Sequence, residues 1–210
     1  VVREIPQNTL NNQAWHDKYC IFMRLGETMR LFFAIELDEG TRRLLHEKQN
    51  QLKEKAAKAN FTRLENLHLT LRFMGEMDGS ALPVLKQILD LVASRMEAFH
   101  LELSSPGAFE RGHKSIVWWG VKKNETLYHL QKALEEEIRL SGFPAETKPY
   151  IPHITLAREY VCADGIKNVI NGFRPASHPI CVSSLSLMES LRVEGKLTYL
   201  CRYRAALRSD

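Results

Sequence analysis

Apolar and polar residues alternate in two distinct rhythms along this chain. Residues 29–37, Met-Arg-Leu-Phe-Phe-Ala-Ile-Glu-Leu, read as a strand, and Asp38 and Thr41 offer capping oxygens for a helix running to about Ala59. Leu44, Leu45, Leu52 and Ala56 place that helix's apolar face at helical spacing. Strand patterns recur at residues 66–74, 99–103, 115–121, 151–157, 180–189 and 196–204. Two further helices are predicted between them. One is capped by Ser80 and carries Leu82, Leu85, Leu89, Val92 and Met96. The other is capped by Asn124, carries Leu127, Leu130, Leu134 and Ile138, and ends near Gly142. Pro144 and Pro149 mark a loop, and Gly195 sits in the turn between the last two strands. Long helices interleaved with hairpin-spaced strands give an α+β or mixed α/β class, without the strict alternation of a doubly wound sheet.

Residues 1–28 depart from this pattern. They are rich in Asn and Gln, lack sustained periodicity and carry Pro6. A purine-rich stretch resembling a ribosome-binding site could encode Gly26-Glu27-Thr28. The expectation is an N-terminal extension over 1–28, with the native start at Met29 and one domain over 29–210. The composition, 44% hydrophobic and 26% charged, is that of an ordinary globular chain. The longest apolar runs are strand-sized, and no segment has the layout of a signal peptide. Four cysteines, Cys20, Cys162, Cys181 and Cys201, are far apart and form no C-x-x-C pair. Neither a zinc site nor a disulfide framework is visible, so the expectation is reduced thiols in a cytoplasmic protein. A formal charge of +4 is compatible with a polyanionic partner but does not single one out.

Chemistry concentrates in two similar stretches, Asn-Leu-His68-Leu-Thr70-Leu and Ile-Pro-His153-Ile-Thr155-Leu. One His-x-Thr is a common accident, with roughly a third of one chance copy expected from this composition. Two copies sharing aliphatic-Thr-Leu, each on a strand after a long helix, suggest an internal duplication. Side chains two apart on a strand share a face, so each strand presents an imidazole beside a hydroxyl. If the halves pack about a pseudo-two-fold axis, both pairs converge on one cleft. A neutral His68 or His153 can take a proton from water while the other, protonated, gives one to a leaving oxygen. Thr70 and Thr155 can donate hydrogen bonds to phosphate oxygens. The structural alternative is a pair of half-buried sheet histidines. No P-loop or dinucleotide-binding pattern and no carboxylate-rich or His-x-His cluster is present, so no cofactor and no metal are expected.

With these motifs and the stretches MRLFFAIEL, ENLHLTLRFMGE, SIVWWGV and YIPHITLAR, the chain over about 29–207 resembles the two-histidine (2H) phosphoesterase superfamily. Within it, the chain is most similar in pattern to the RNA 2′,3′-cyclic phosphodiesterases, also called 2′-5′ RNA ligases or LigT-like proteins. The resemblance implies a bilobal fold with a pseudo-two-fold arrangement of two antiparallel sheets flanking a central cleft, helices outside. It implies metal-independent opening of a terminal RNA or nucleotide 2′,3′-cyclic phosphate to a 2′-phosphomonoester. His68 would then be proton donor to the leaving 3′ oxygen, His153 the acceptor that activates water, and Thr70 and Thr155 phosphate ligands. Family members often carry an Arg five residues after the second histidine, and Arg158 matches, as a phosphate ligand. Strand parity puts Arg158 on the wrong face unless a bulge intervenes. Arg72 has the right parity and reads as a surface strand residue. Tyr150, Phe73, Trp118 and Trp119 are aromatics able to stack on a base, Tyr150 being the one singled out, and at most one of the two tryptophans faces the cleft. Two other readings are joining of 2′-5′ RNA ends by the same chemistry in reverse, and an RNA- or nucleotide-binding module without catalysis. No membrane and no obligate protein partner are expected.

Overall fold

The computed structural model describes residues 28–174 and 176–209. The expectation of an extension over 1–28 therefore falls almost wholly outside the described residues, and Thr28 already belongs to the first strand. Nine strands and four helices follow in the described residues: β1 (Thr28–Glu36), α1 (Glu39–Lys53), β2 (Lys58–Phe61), β3 (His68–Asp78), α2 (Leu82–Ala93), β4 (Phe99–Arg111), β5 (Lys114–Val121), α3 (Glu125–Leu140), β6 (His153–Val161), α4 (Ile166–Asn171), β7 (Pro179–Val182), β8 (Ser184–Val193) and β9 (Lys196–Ala206). The strands order as β7-β4-β5-β6-β3-β1-β8-β9, with β2 pairing on β6, and every ladder between them is antiparallel. A single register pair, Leu69 with Ile154, joins β3 to β6. The α+β bilobal arrangement is thus two antiparallel sheets meeting at the two histidine strands.

Each lobe takes strands from the other half of the chain. The unit β1-α1-β3-α2 is followed by β4, which pairs with β5 of the other lobe, and β5-α3-β6-α4 is followed by β7 and then β8, which pairs with β1. The segment 180–189, read from sequence as one strand, breaks at Ser183 because it changes sheets. β7 pairs with β4 and β8 with β1.

Local chemistry explains most element ends. The Asp38 carboxylate accepts from the Thr41 backbone N–H at 2.8 Å and caps α1, and Asn124 does the same for α3 through Leu127 at 2.9 Å. Leu127, Leu130, Leu134 and Ile138 are the buried stripe of α3. Three expectations are corrected. Helix α1 stops at Lys53 rather than near Ala59, and the chain turns into β2, which the sequence reading missed. Ser80 does not cap α2. It donates its backbone N–H to Asp78 in a 3₁₀ turn, and α2 begins at Leu82 with Pro83 in its first turn. β4 continues to Arg111 through Pro106, which follows an irregularity between the pairs Leu103–Val121 and Pro106–Trp119, a position of the kind where proline is tolerated in a strand.

The main core lies between the outer face of the sheets and the helices, and includes Leu31, Phe33, Leu69, Leu71, Trp119, Ile154 and Leu156, all essentially inaccessible. The inner face keeps a small separate cluster of Phe32, Ala34 and Met188, with Tyr199 and Cys201 against it. Glu194 and Gly195, both at positive φ, form the two-residue turn of the β8–β9 hairpin. This hairpin reaches back to the 3₁₀ turn Leu64–Asn66, where the Asn66 amide donates to the Leu197 carbonyl at 2.9 Å and accepts from the Tyr199 N–H at 3.2 Å. No helix in the described residues is long and apolar enough to cross a membrane.

Candidate active site

His68 and His153 are each the first residue of their strand. In both, Nδ1 lies 2.7 Å from the carbonyl oxygen two residues earlier, of Asn66 and of Ile151 respectively. A carbonyl only accepts, so each ring donates Nδ1–H, and Nε2 is left as the chemically available nitrogen. Among the described residues no carboxylate orients either ring through Nδ1. Glu36, opposite His68 in register, is taken by Ser186 at 2.5 Å and by Arg204 at 2.6 Å. The aromatic setting repeats as well. Tyr199 stands edge-on to His68 and Phe109 edge-on to His153, each with ring centroids 5.1 Å apart.

Thr70 follows the two-residue rule, its Oγ1 2.9 Å from His68 Nε2. Thr155 is half-buried on the face of His153 and makes no side-chain hydrogen bond among the described residues. Burial pushes the His68 pKa down to about 4, with Arg158, His153 and Arg42 adding positive charge nearby, against the opposing bond to Asn66. His153 is lowered by the same causes, burial first and Arg158 after it, again against a main-chain bond. The Arg158 charge is thus felt by both imidazoles.

The parity objection to Arg158 is answered by a bulge. β6 advances two residues, from Thr155 to Ala157, while β5 advances one, from Trp118 to Val117. Leu156 is the extra residue, so Ala157 turns into the core and Arg158 comes round to the face of His153. β3 carries the same device: Thr70 to Arg72 on β3 matches Ala34 to Phe33 on β1. Arg72 is therefore turned off the histidine face and packs under the sheet, its Nε 3.0 Å from Glu135 of α3, with further bonds to Glu146 and the Pro144 carbonyl. It is a buried ion-pair residue rather than the surface residue read from sequence. Phe73 takes the position matching Arg158, 40% exposed, stacked on Phe32 and covered by the Arg30 guanidinium at 4.9 Å.

Tyr150 is placed otherwise: its hydroxyl donates to the Thr70 carbonyl at 3.2 Å and its ring meets Tyr128 of α3 edge-on. Burial raises its phenol far above the ordinary value. Of the two tryptophans, Trp119 is fully buried, its indole N–H donating to the Ser104 carbonyl at 3.1 Å. Trp118 faces inward beside His153, with ring centroids 6.0 Å apart. It lies flat on Gly107, where a Cβ would come within 2.2 Å of the indole.

Sequence reasoning missed Gln49, a buried residue in the middle of α1. Its side-chain amide donates to the carbonyls of Thr62 and of the bulged Leu156, both at 2.8 Å, and so pins the bulge that presents Arg158. A buried glutamine on an otherwise apolar helix stripe was the available signal. Among the described residues no group of three or more His, Cys, Asp or Glu is placed to hold a metal ion.

The model of the 2′-5′ RNA ligase superfamily matches residues 42–193. The chain belongs to this superfamily. It is 34% identical over 131 residues to a protein of Methanothermobacter thermautotrophicus named RNA 2′,3′-cyclic phosphodiesterase, the match covering 62% of this chain and 71% of that one. A protein of the same name from Thermotoga maritima is 28% identical over 184 residues, or 85% of this chain and 98% of the relative. The crystal structure of Escherichia coli LigT complexed with 3′-AMP superposes with a TM-score of 0.72 at 27% identity, covering 86% of this chain and 99% of that one. The superfamily fold is thus present over nearly all of the described chain.

Proposed function

We propose that this chain is an RNA 2′,3′-cyclic phosphodiesterase that opens a terminal cyclic phosphate to a 2′-phosphomonoester. The observation that carries this reading is the matched pair of imidazoles at the junction of the lobes, each with Nδ1–H held by a main-chain carbonyl and Nε2 left for the substrate. The names of its relatives support the same reaction.

In this reading the cyclic phosphate sits between the histidines. His153 Nε2 takes a proton from water, whose oxygen attacks phosphorus. The bond from phosphorus to O3′ breaks, and protonated His68 gives its proton to O3′. Water has been added across one P–O bond, and the protein ends with its proton moved from one ring to the other. Thr70, freed from His68, and Thr155 donate to the non-bridging oxygens. Arg158 balances their charge and raises no objection of parity once β6 is bulged. Tyr150 supports this face from behind through the Thr70 carbonyl rather than by stacking on a base.

The test is phosphorus NMR of a short RNA ending in a 2′,3′-cyclic phosphate, with EDTA present. Conversion to the 2′-monophosphate is expected. His68→Ala and His153→Ala should each slow it by about 10²–10⁴. Absence of conversion between pH 4 and 8 would overturn the reading. A 3′-phosphate product would reverse the leaving oxygen.

A further inference from the structure

The two histidine strands are joined at one point. β3 and β6 share the single register pair Leu69–Ile154, whereas β1–β3 and β5–β6 pair along most of their length. One pair fixes where the strands touch but leaves the stance of the second ring toward the first to other contacts. Those contacts are crossed between the halves of the chain. Helix α1, from the first half, packs on β6, and α3, from the second half, packs on β3. Gln49 and Glu135 stand equally far along these helices from the caps Asp38 and Asn124, and each reaches the bulge of the other half's histidine strand. Gln49 does so directly, through the Leu156 carbonyl, and Glu135 through Arg72.

The Arg72 side chain, 10% exposed, does more than pair with Glu135. One terminal nitrogen donates to the Pro144 carbonyl at 2.7 Å, and the other to the Glu146 carboxylate at 3.3 Å and the Phe73 carbonyl at 2.9 Å. Pro144 and Glu146 belong to the chain between α3 and β6. The Glu146 carboxylate in turn accepts the backbone N–H groups of Thr147 and Lys148, at 2.9 and 3.1 Å, so the guanidinium holds a closed turn. Further along the same loop the Tyr150 hydroxyl donates to the Thr70 carbonyl, and the next residue, Ile151, supplies the carbonyl that holds His153 Nδ1–H. The loop that sets the second imidazole is therefore fastened twice to the strand of the first, at residues 70 and 72. An ion pair removed from water gains little over apolar packing of the same shape, but the arginine fork fixes a geometry. We infer that Arg72 is a positioning residue for His153: by fastening this loop to the bulge of β3, it sets the second imidazole against the first. The consequence for rate rests on the phosphodiesterase reading, while the geometry does not.

The test compares Arg72→Met and Arg72→Lys in the whole chain, with Arg95→Gln as control. Arg95 is exposed and joins α2 to Glu137 of α3 at 2.6 Å, with no bond to the loop. Nitrogen NMR of the imidazoles at neutral pH requires no turnover. In the parent and in Arg95→Gln both rings should show the Nδ1–H form. Arg72→Met should give a mixture of tautomers at His153 and keep the Nδ1–H form at His68. In turnover of an RNA ending in a 2′,3′-cyclic phosphate, its kcat should fall by about 10–10², with KM within about threefold of the parent's. Arg72→Lys keeps the charge without the fork and should recover part of that kcat. Equal change at both rings, an unchanged His153, an unchanged kcat beside an active parent, or the same loss in Arg95→Gln overturns the positioning role. Should Arg72→Met fail to unfold cooperatively in urea, Tyr150→Phe loses one hydroxyl, keeps its ring, and should show the same His153-selective change. A parent without turnover whose His153 still responds selectively would sink the phosphodiesterase reading and leave the positioning role standing.

Discussion

At the scale of single residues, the two imidazoles are set by main-chain carbonyls rather than by carboxylates, and this has a consequence for pH. A carboxylate partner would raise a histidine's pKa. Here burial dominates and lowers both, His68 to about 4. In the free protein one ring must be protonated and the other neutral for reaction, so the bell-shaped profile of kcat/KM is expected to centre below pH 6.5. A bound phosphate anion favours the charged form of both rings and should move the kcat profile to higher pH. The pair titrates as a unit, and measuring both profiles checks this. A kcat/KM maximum at or above pH 7 would show that the rings are not desolvated as the structure has them.

At the scale of elements, the decisive feature is a bulge repeated three residues after each histidine. It carries no mark in the motif: His-x-Thr-Leu-x-x is compatible with a regular strand, in which Arg72 and not Arg158 would share the catalytic face. The extra residues, Leu71 and Leu156, are apolar like their neighbours and both are buried. What maintains the second bulge is Gln49, more than a hundred residues away, together with the Thr62 N–H on the Leu156 carbonyl at 2.9 Å. Gln49→Leu removes two hydrogen bonds to buried carbonyls and is expected to cost about 1–3 kcal/mol, read from a urea midpoint. Because the bulge aims Arg158, the folded variant should also bind inorganic phosphate about tenfold more weakly, measured by calorimetry. Phosphate affinity equal to the parent's would separate the bulge from the placement of Arg158.

At the scale of the whole molecule, the two lobes are not independent halves. β4 and β8 are exchanged between them, and α2 packs on β8 and β9, which arrive last. A fragment of residues 28–97 would leave one edge of β1 and the apolar face of α2 without partners. It should lack cooperative unfolding by circular dichroism, while supplying residues 98–210 should restore it. A fragment that folds alone would show that the exchange is dispensable. The linear pattern of the chain was enough for the histidine–threonine pairs, the capped helices, most strands and the α+β class, because each rests on near neighbours: side-chain period, a capping oxygen, a proline. It even flagged that Arg158 required a bulge. Chain folding in space settled the rest: which arginine shares the histidines' strand face, the depressed imidazole pKa values, the sheet change at Ser183 and the crossed contacts of Gln49 and Arg72 between the halves of the chain. Each of these depends on groups distant in sequence, since burial, register between strands and the summed field of separated charges exist only once those groups are packed together.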